Sequence, residues 1–185
     1  MKIIIGLGNP GKEFDTTRHN AGFLCVDFLQ KEWSFENFRR DAKMSAEISA
    51  GMVGKEKYLL IKPTTFMNDS GIATQALIRF YKLTVSDIIV IHDDLDIDLG
   101  IYKKTLSSRS AGHNGVADII EKIGTQDFFR IRLGIGRPKG TDGACISTHD
   151  YVLERFSPSE LDLLETTFPR VQTVLQETSI PSLPN

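Results

Sequence analysis

The chain begins MKIIIGLGNPG (residues 1–11), an apolar run followed at once by three glycines. The three isoleucines predict a buried strand over residues 2–7. Gly6, Gly8 and Gly11 have the spacing of a dinucleotide-binding GxGxxG loop. In such a loop the third glycine lies in the first turn of a helix, whereas here no helical periodicity begins before about residue 20. The stretch instead predicts a tight turn, which either only ends the strand or also aims the Asn9 amide into the crevice where α/β proteins bind ligands.

The rest of the chain alternates between strand-like and helix-like patterns. Helices are predicted over residues 20–33, from after Pro63 to about Phe80, over 115–123, and from a capping box at Ser157 to about Gln176. Further strands are predicted near 44–50, 56–62, 87–94, 101–106 and 128–136, with a glycine-rich loop over 136–147. This order predicts an α/β fold with a mixed central β-sheet flanked by helices on both faces. We expect a single domain over residues 1–185, with a frayed tail at 177–185.

The composition is that of an ordinary globular protein, with 41% hydrophobic residues, 25% charged residues and a net charge of −2. The opening apolar run, Ile3 to Leu7, is far too short for a signal peptide or a membrane span. Cys25 and Cys145 form no CxxC motif, so we expect a cytoplasmic protein without disulfides. Residues 101–140 contain eight lysines and arginines but three acidic residues, which indicates either solvated surface charge or a local anion-binding surface.

Titratable residues concentrate in two short stretches, TTRHNAG and HDDLD. His19 lies just before the first predicted helix, for which Asn20 is the expected N-cap. Histidine is the commonest general base near neutral pH, although many single histidines are only structural or exposed. Asp93 follows a buried strand, and three interpretations stay open for it. It orients the His19 ring, it binds a metal together with His92 and His113, or it is a plain loop acid.

Asparagines recur at the predicted turns: FMNDSG contains Asn68 and AGHNG contains Asn114, beside Asn9 and Asn20. An asparagine amide offers two donors and one acceptor, so it can pair with the backbone of a peptide of any sequence. Turn formation and helix capping account equally well for most of these amides. The sequence has no GxSxG elbow and neither cysteine lies in a nucleophile context, so a hydrolase of this sequence would use water as its nucleophile.

In order along almost the whole chain, the stretches GLGNPG, FDTTRHNAG, PTTFMNDSG, HDDLD, AGHNGVADII and RIRLGIGRP resemble the motifs of the bacterial-type peptidyl-tRNA hydrolase family. The resemblance implies a monomeric, metal-independent α/β enzyme with no cofactor, no membrane association and no protein partner. It also implies a reaction, hydrolysis of the ester between a peptide and the 3′ end of tRNA in peptidyl-tRNA. That reaction frees the tRNA for reuse in translation.

The resemblance implies roles for the residues of this chain that match functional positions of that family. His19 becomes the catalytic base, and Asp93 becomes the partner that orients it. The residues expected to hold the peptide, the attacking water and the tRNA 3′ end are Asn9, Phe14, Phe66, Asn68, His113 and Asn114. The residues expected to contact tRNA phosphate are Lys103 and Arg132, and no metal ligand is expected.

Several positions depart from the family pattern. Phe14 stands where the family often has tyrosine, Thr105 where a second phosphate-binding lysine is expected, and Ala117 where a basic residue is usual. The run SSRSA replaces a glycine-rich run before HNG. None of these departures falls on the expected catalytic residues. They concern the expected tRNA contacts, where Arg109 or Lys104 could take the place of the missing basic residues.

Other functions remain open at the level of the sequence. A nicotinamide or nucleotide enzyme would use GLGNPG to hold its cofactor. A non-catalytic RNA-binding protein would use the basic segment alone, and it would have no need of the His-Asp-Asn set. A metallohydrolase is a rival within the hydrolases.

Overall fold

A seven-stranded β-sheet forms the centre of the computed structural model, which describes residues 1–138 and 147–177. Its strands are β1 (Lys2–Gly6), β2 (Arg39–Asp41), β3 (Ala46–Val53), β4 (Glu56–Pro63), β5 (Ile88–Asp94), β6 (Tyr102–Leu106) and β7 (Phe129–Gly134). They lie in the order β2-β3-β4-β1-β5-β7-β6. The β4, β1, β5 and β7 strands run parallel, whereas the pairs β2–β3, β3–β4 and β6–β7 are antiparallel. The predicted mixed sheet is therefore confirmed.

Helices cover both faces of this sheet, as the sequence predicts. They are α1 (Ala21–Glu32), α2 (Ser70–Tyr81), α3 (Asn114–Ile123), α4 (Thr148–Leu153), α5 (Pro158–Glu165) and α6 (Phe168–Glu177). Successive residues of a strand point to opposite faces, so Ile4 packs with α1 and α6 while Ile3 and Ile5 pack with α2 and α3. The central strands are apolar on both faces for this reason, and β5 is buried along its whole length.

The first two glycines of the opening stretch allow α1 to pack closely against β1. A Cβ atom on Gly6 would lie 2.4 Å from the carbonyl oxygen of Gly22, and one on Gly8 would lie 2.6 Å from the Phe23 ring. Gly11 has φ of 118° and is followed by a 3₁₀ turn, Lys12–Phe14, rather than by an α-helix. This geometry is not that of a dinucleotide-binding loop, whose third glycine begins a helix that receives the pyrophosphate.

The structure differs from the predicted elements in three places. The short edge strand β2 and the one-and-a-half-turn helix α4 were not predicted. The helix expected from Ser157 to about Gln176 has the predicted capping box but is divided, since α5 ends at Glu165 and α6 begins at Phe168. Pro169 explains the division, because proline lacks the N–H that a continuous helix needs and clashes with the preceding turn.

Two predicted segments lie partly outside the described residues. They are the glycine-rich loop, beyond residue 138, and the frayed tail, beyond residue 177. Within the described ranges, no helix combines the length and the apolar character needed to cross a lipid bilayer. Cys25 is fully buried against the sheet, and burial raises the pKa of its thiol.

Substituting Gly22 with alanine tests the close approach of α1 to the sheet. A Cβ atom there would lie 2.4 Å from the carbonyl oxygen of Ile91 and 2.5 Å from the backbone nitrogen of Leu7. Because backbone atoms cannot move aside as side chains do, we expect Gly22→Ala to lower the free energy of unfolding by ~3 kcal/mol or more in urea titrations. Gly54→Ala is the control, since no atom lies within 4 Å of its Cβ position. Its positive φ should cost only about 1–2 kcal/mol, and equal losses in the two variants would contradict the packing argument.

Candidate active site

A cleft of about 770 Å³ opens at the carboxyl ends of β1 and β5, where α/β proteins usually bind ligands. Eight of the ten residues predicted from the sequence line this cleft together. They are Asn9, Phe14, His19, Phe66, Asn68, Asp93, His113 and Asn114. The fold thus gathers side chains from five separate stretches of the chain, while their individual roles stay predictions.

His19 and Asp93 form a buried pair at the base of the cleft. His19 belongs to a 3₁₀ turn, Arg18–Asn20, that leads into α1, and Asp93 lies near the end of β5. The His19 Nδ1 atom is 2.9 Å from Oδ1 and 3.0 Å from Oδ2 of Asp93. An ionised carboxylate can only accept, so Nδ1–H is the donor. The Nε2 atom of His19 is then the ring nitrogen that remains free to accept a proton.

The pair has the electrostatics of a base and its charged partner. Burial by itself lowers the pKa of His19, but the charge of Asp93 and its hydrogen bond outweigh burial, so the pKa lies above its ordinary value. Burial would raise the pKa of the Asp93 carboxyl. The His19 and His113 rings instead hold that pKa well below its usual range. Asp93 is therefore ionised at neutral pH and stabilises a proton on His19.

His113 is a second ring bound to the same carboxylate. Its Nε2 atom is 3.0 Å from Asp93 Oδ1, and its Nδ1 atom accepts the backbone N–H of Val116 at 3.3 Å. Because Nδ1 is occupied as an acceptor, Nε2 carries the hydrogen and donates it to Asp93. His113 thus donates a hydrogen bond that helps to compensate the buried charge of Asp93.

The metal cluster considered from the sequence is not the one that the structure brings together. His92 donates through Nδ1 to the backbone carbonyl of Asp93 at 2.7 Å, and its Nε2 atom is buried without a partner among the described residues. Burial, followed by the neighbouring His113, lowers the pKa of His92 well below its ordinary value. The ligand atoms that do lie within 4.8 Å of one another belong to His19, Asp93 and His113. Their N···O distances are those of N–H···O hydrogen bonds.

Asn9 is fixed in the cleft by hydrogen bonds at both its backbone and its side chain. Asn20 accepts the backbone N–H of Asn9 at 2.8 Å and donates to its carbonyl oxygen at 3.0 Å. The Asn9 side-chain oxygen accepts the backbone N–H of Met67 at 2.8 Å. Its NH₂ group has no partner among the described residues and is available to a ligand.

The expected capping role of Asn20 is therefore wrong. Asn20 occupies the N-cap position of α1 but makes no side-chain cap bond, because its amide is used by Asn9. Asn20 and the Met67 backbone are site residues that the sequence did not reveal. The stretch RHNAG does indicate a polar role for Asn20. An asparagine at this position suits both a helix cap and a hydrogen bond to the Asn9 backbone, so the sequence cannot distinguish the two roles.

The outer part of the cleft carries two amides and two aromatic rings. Asn68 lies in a 3₁₀ turn, Met67–Asp69, before α2, and Asn114 is the first residue of α3. Both are exposed, and neither side chain has a hydrogen-bond partner among the residues that the structure describes. The Phe14 and Phe66 rings meet edge to face with centroids 6.5 Å apart, and Phe66 is 58% exposed. A flat ligand group could stack on this exposed ring.

Arg18 connects the turn that carries His19 to a further wall of the cleft. That wall is α4, which was not predicted, and it contributes Val152 and Leu153 to the lining. The buried Arg18 guanidinium donates to Glu160 at 2.9 Å and lies over the Tyr151 ring at 4.4 Å. No sequence pattern indicates this role, because the partners of Arg18 lie more than 130 residues away along the chain.

Lys103 and Arg132, the two predicted phosphate contacts, lie outside the cleft. They are directly opposite each other in the antiparallel β6–β7 pair. The Arg132 Nε atom donates at 2.7 Å to Asp94, whose side chain lines the cleft. Asp94 therefore connects the cleft to this basic pair, and Asp94 is another site residue that the sequence did not single out.

Much of the basic segment is engaged within the protein. The buried Arg130 guanidinium donates to the carbonyl oxygens of Ser108 and Arg109 at 2.6 and 3.0 Å. Ion pairs also join Lys122 to Asp118 and Arg137 to Asp96. Among the described basic residues of this segment, those whose side chains have neither an ion pair nor a hydrogen bond are Lys103, Lys104 and Arg109. An anion-binding surface in this region therefore has fewer available cations than the sequence suggests.

Comparison with known proteins agrees with this geometry. The family model described as peptidyl-tRNA hydrolase matches residues 3–181. A peptidyl-tRNA hydrolase of Mycoplasma capricolum is 41% identical over 168 residues, which cover 91% of this chain and 87% of that protein. A peptidyl-tRNA hydrolase of Bacillus cereus strain Q1 is 44% identical over 161 residues, which cover 87% of this chain and 83% of the relative.

Solved structures give the same result for the fold. A crystal structure of peptidyl-tRNA hydrolase from Acinetobacter baumannii superposes with a TM-score of 0.86 at 30% identity, covering 95% of this chain and 87% of that one. A crystal structure of a peptidyl-tRNA hydrolase in complex with N-propanol has the same TM-score, identity and coverage. The match of sequence and fold over nearly the whole length means that this chain belongs to the peptidyl-tRNA hydrolase family.

Proposed function

We propose that this protein hydrolyses peptidyl-tRNA at the ester bond that joins the peptide to the 3′ end of the tRNA. Membership of the family supports the reaction class. The observation that carries the proposal is the His19–Asp93 pair facing three asparagines in a single cleft. The products are a free peptide and a tRNA that can be charged again.

In the proposed mechanism, His19 activates water as a general base. The Nε2 atom takes a proton as the water oxygen attacks the ester carbonyl carbon, and the carbonyl electron pair moves to the oxygen. When the tetrahedral intermediate collapses, the bond to the ribose oxygen breaks, and that oxygen takes the proton back from His19. Asp93 keeps the ring in the tautomer with Nδ1–H and stabilises the transient imidazolium.

The three asparagines of the cleft are assigned to binding the ester carbonyl and the peptide of the substrate. The free NH₂ group of Asn9, held by Met67 and Asn20, is suited to stabilise the oxyanion because it is already oriented before the reaction. Asn68 and Asn114 pair with the first peptide amide of the substrate. An unblocked aminoacyl-tRNA offers an amine at that point, which leaves these amides without their partners and explains a preference for peptides.

The tRNA is bound through its phosphates, without reading of its bases. Lys103 and Arg132 face the same side of the sheet from neighbouring strands, so one phosphate can contact both side chains. Arg132 also pairs with Asp94, which leaves Lys103 as the cation without a partner among the described residues. Arg109 is exposed and can add to this contact, whereas Lys104 follows Lys103 in β6 and points to the other face of the sheet. We further propose that the protein acts as a cytoplasmic monomer, with no cofactor and no protein partner.

A metallohydrolase remains the rival mechanism, because His19, Asp93 and His113 could hold an ion. The decisive experiment measures release of the acyl group from N-acetyl-aminoacyl-tRNA and from the unblocked aminoacyl-tRNA, with and without chelator. Chelator-resistant cleavage of the blocked substrate alone would support the proposal. Loss of activity in chelator would establish the metal mechanism, and binding of tRNA without cleavage would indicate a non-catalytic RNA-binding protein.

Removal of the base tests the catalytic assignment directly. We expect His19→Ala to lower kcat by ~10²–10⁴-fold, the usual contribution of a positioned base, while tRNA affinity and the fold stay nearly unchanged. Steady-state kinetics and tRNA titration measure the two effects separately. Turnover close to that of the wild type would remove His19 from the mechanism.

The raised pKa of His19 predicts a defined pH dependence. A general base must be neutral, so kcat/KM should fall as the pH drops through the pKa of His19, which lies above the ordinary value of 6.5. In Asp93→Asn the charge that outweighs burial is gone, so this acidic limb should move to lower pH, together with a large loss of rate. Glu36→Gln is the control, because among the described residues its exposed carboxylate pairs with Arg39 alone. An unmoved acidic limb in Asp93→Asn would contradict the assignment.

Phosphate contacts predict that binding depends on salt. Raising the salt concentration should increase KM strongly and change kcat little, since counterions are released on binding and not during the chemical step. Lys103→Ala should weaken binding and reduce the slope of log affinity against log salt by about 1. The exposed Lys55, in the hairpin between β3 and β4, provides the control Lys55→Ala. An equal slope in Lys103→Ala and the wild type would place the tRNA elsewhere.

A further inference from the structure

Two of the three asparagines in the cleft come from the beginnings of neighbouring helices. Asn68 precedes α2 and Asn114 begins α3. Within the described part of the chain, neither side chain is held by a hydrogen bond of its own. The separation of the two amides is therefore set by the way in which the two helix starts pack against each other.

The two helix starts approach closely because glycines lie where they meet. A Cβ atom on Gly115 would lie 2.5 Å from the sulfur of Met67 and 3.2 Å from its carbonyl oxygen. A Cβ atom on Gly71 would lie 2.5 Å from the carbonyl oxygen of Asp118. The turn that carries Asn68 is thus in direct contact with the first turns of α3.

The buried carboxylate of Asp118 joins the two helices at this contact. Its Oδ2 atom accepts the backbone N–H of Gly71 at 2.7 Å, and its Oδ1 atom accepts from Lys122 at 3.0 Å. The N–H of Gly71 belongs to the first turn of α2, where such groups have no partner within their own helix. Asp69, at the N-cap position of α2, makes no side-chain cap bond. Asp118 therefore caps α2 from the neighbouring helix, where its negative charge also suits the positive end of the helix dipole.

We propose that Asp118 is a positioning residue that sets the distance between the Asn68 and Asn114 amides and thereby determines the selectivity for a blocked amino group. This inference rests on the proposed function, in which both amides pair with the first peptide amide. Asp118 itself does not line the cleft, so it acts on the substrate only through the two helix starts. A shift of about 1 Å in one partner of such an arrangement can cost a large factor in rate.

The experiment compares Asp118→Ala with Asp118→Asn. Asparagine has an oxygen that can still accept the Gly71 N–H, whereas alanine has none. For Asp118→Ala we expect KM for N-acetyl-aminoacyl-tRNA to rise roughly 10-fold or more, the preference over the unblocked substrate to fall, and kcat to change less. Asp118→Asn should restore most of the KM and of the preference. Lys122→Met is the matched control, because it removes the other partner of Asp118 and leaves the bond to Gly71.

Three further results decide between the outcomes. If Asp118→Ala lowers Tm but leaves KM and the preference unchanged at a temperature well below Tm, Asp118 is only structural and the inference is overturned. Asn68→Ala and Asn114→Ala are measured in parallel. If these variants also keep the preference, the assigned role of the amides fails, and the inference fails with it. If Asp118→Ala does not fold, Asp118→Glu keeps the charge but adds a methylene, and a wild-type KM in that variant would overturn the inference.

Discussion

The close approach of α1 to the ends of β1 and β5 is the constraint on which the rest of the structure depends. Gly22 lies against the backbone of Leu7 and Ile91, and no larger residue would fit there. This contact brings His19, two residues before α1, beside Asp93, near the end of β5. The same contact brings Asn20 to Asn9. The positions of the pair assigned to catalysis and of the amide assigned to the oxyanion thus depend on one helix-to-sheet contact.

The burial of a single carboxylate organises the chemistry of the site. A buried charge is costly unless it is hydrogen-bonded, and Asp93 receives N–H donors from two imidazole rings. Both ring nitrogens of His113 are engaged, by Asp93 and by the Val116 N–H, whereas His19 uses only Nδ1 within the described residues. The two rings bound to one carboxylate therefore differ in what they offer the cleft, which supports the proposed assignment of His19 as the base.

Much of the architecture could be predicted because it depends on burial, which leaves a pattern in the sequence. The central strands are apolar runs, and α3 ends at Ile123, as predicted, with Gly124 following in the left-handed conformation. The β2 strand escaped prediction because Arg39, Arg40 and Asp41 have no apolar alternation, and the strand exists only through its pairing with β3. The α4 helix is too short to show a helical period. In the site, eight of the side chains that line the cleft were identified from their motifs. The roles of Arg18, Asn20 and Asp94 were not identified, since they depend on partners distant in sequence.

The two edges of the sheet have a consequence for self-association. An edge strand presents unpaired backbone groups, to which a strand of another molecule can add. Here β2 is three residues long and contains two arginines, and β6 contains two exposed lysines among its five residues. Short, basic edges resist strand addition through charge repulsion and limited length. Lysines assigned to RNA phosphates would thus also protect this protein from edge-to-edge aggregation, and a substitution chosen to abolish tRNA binding would remove part of that protection.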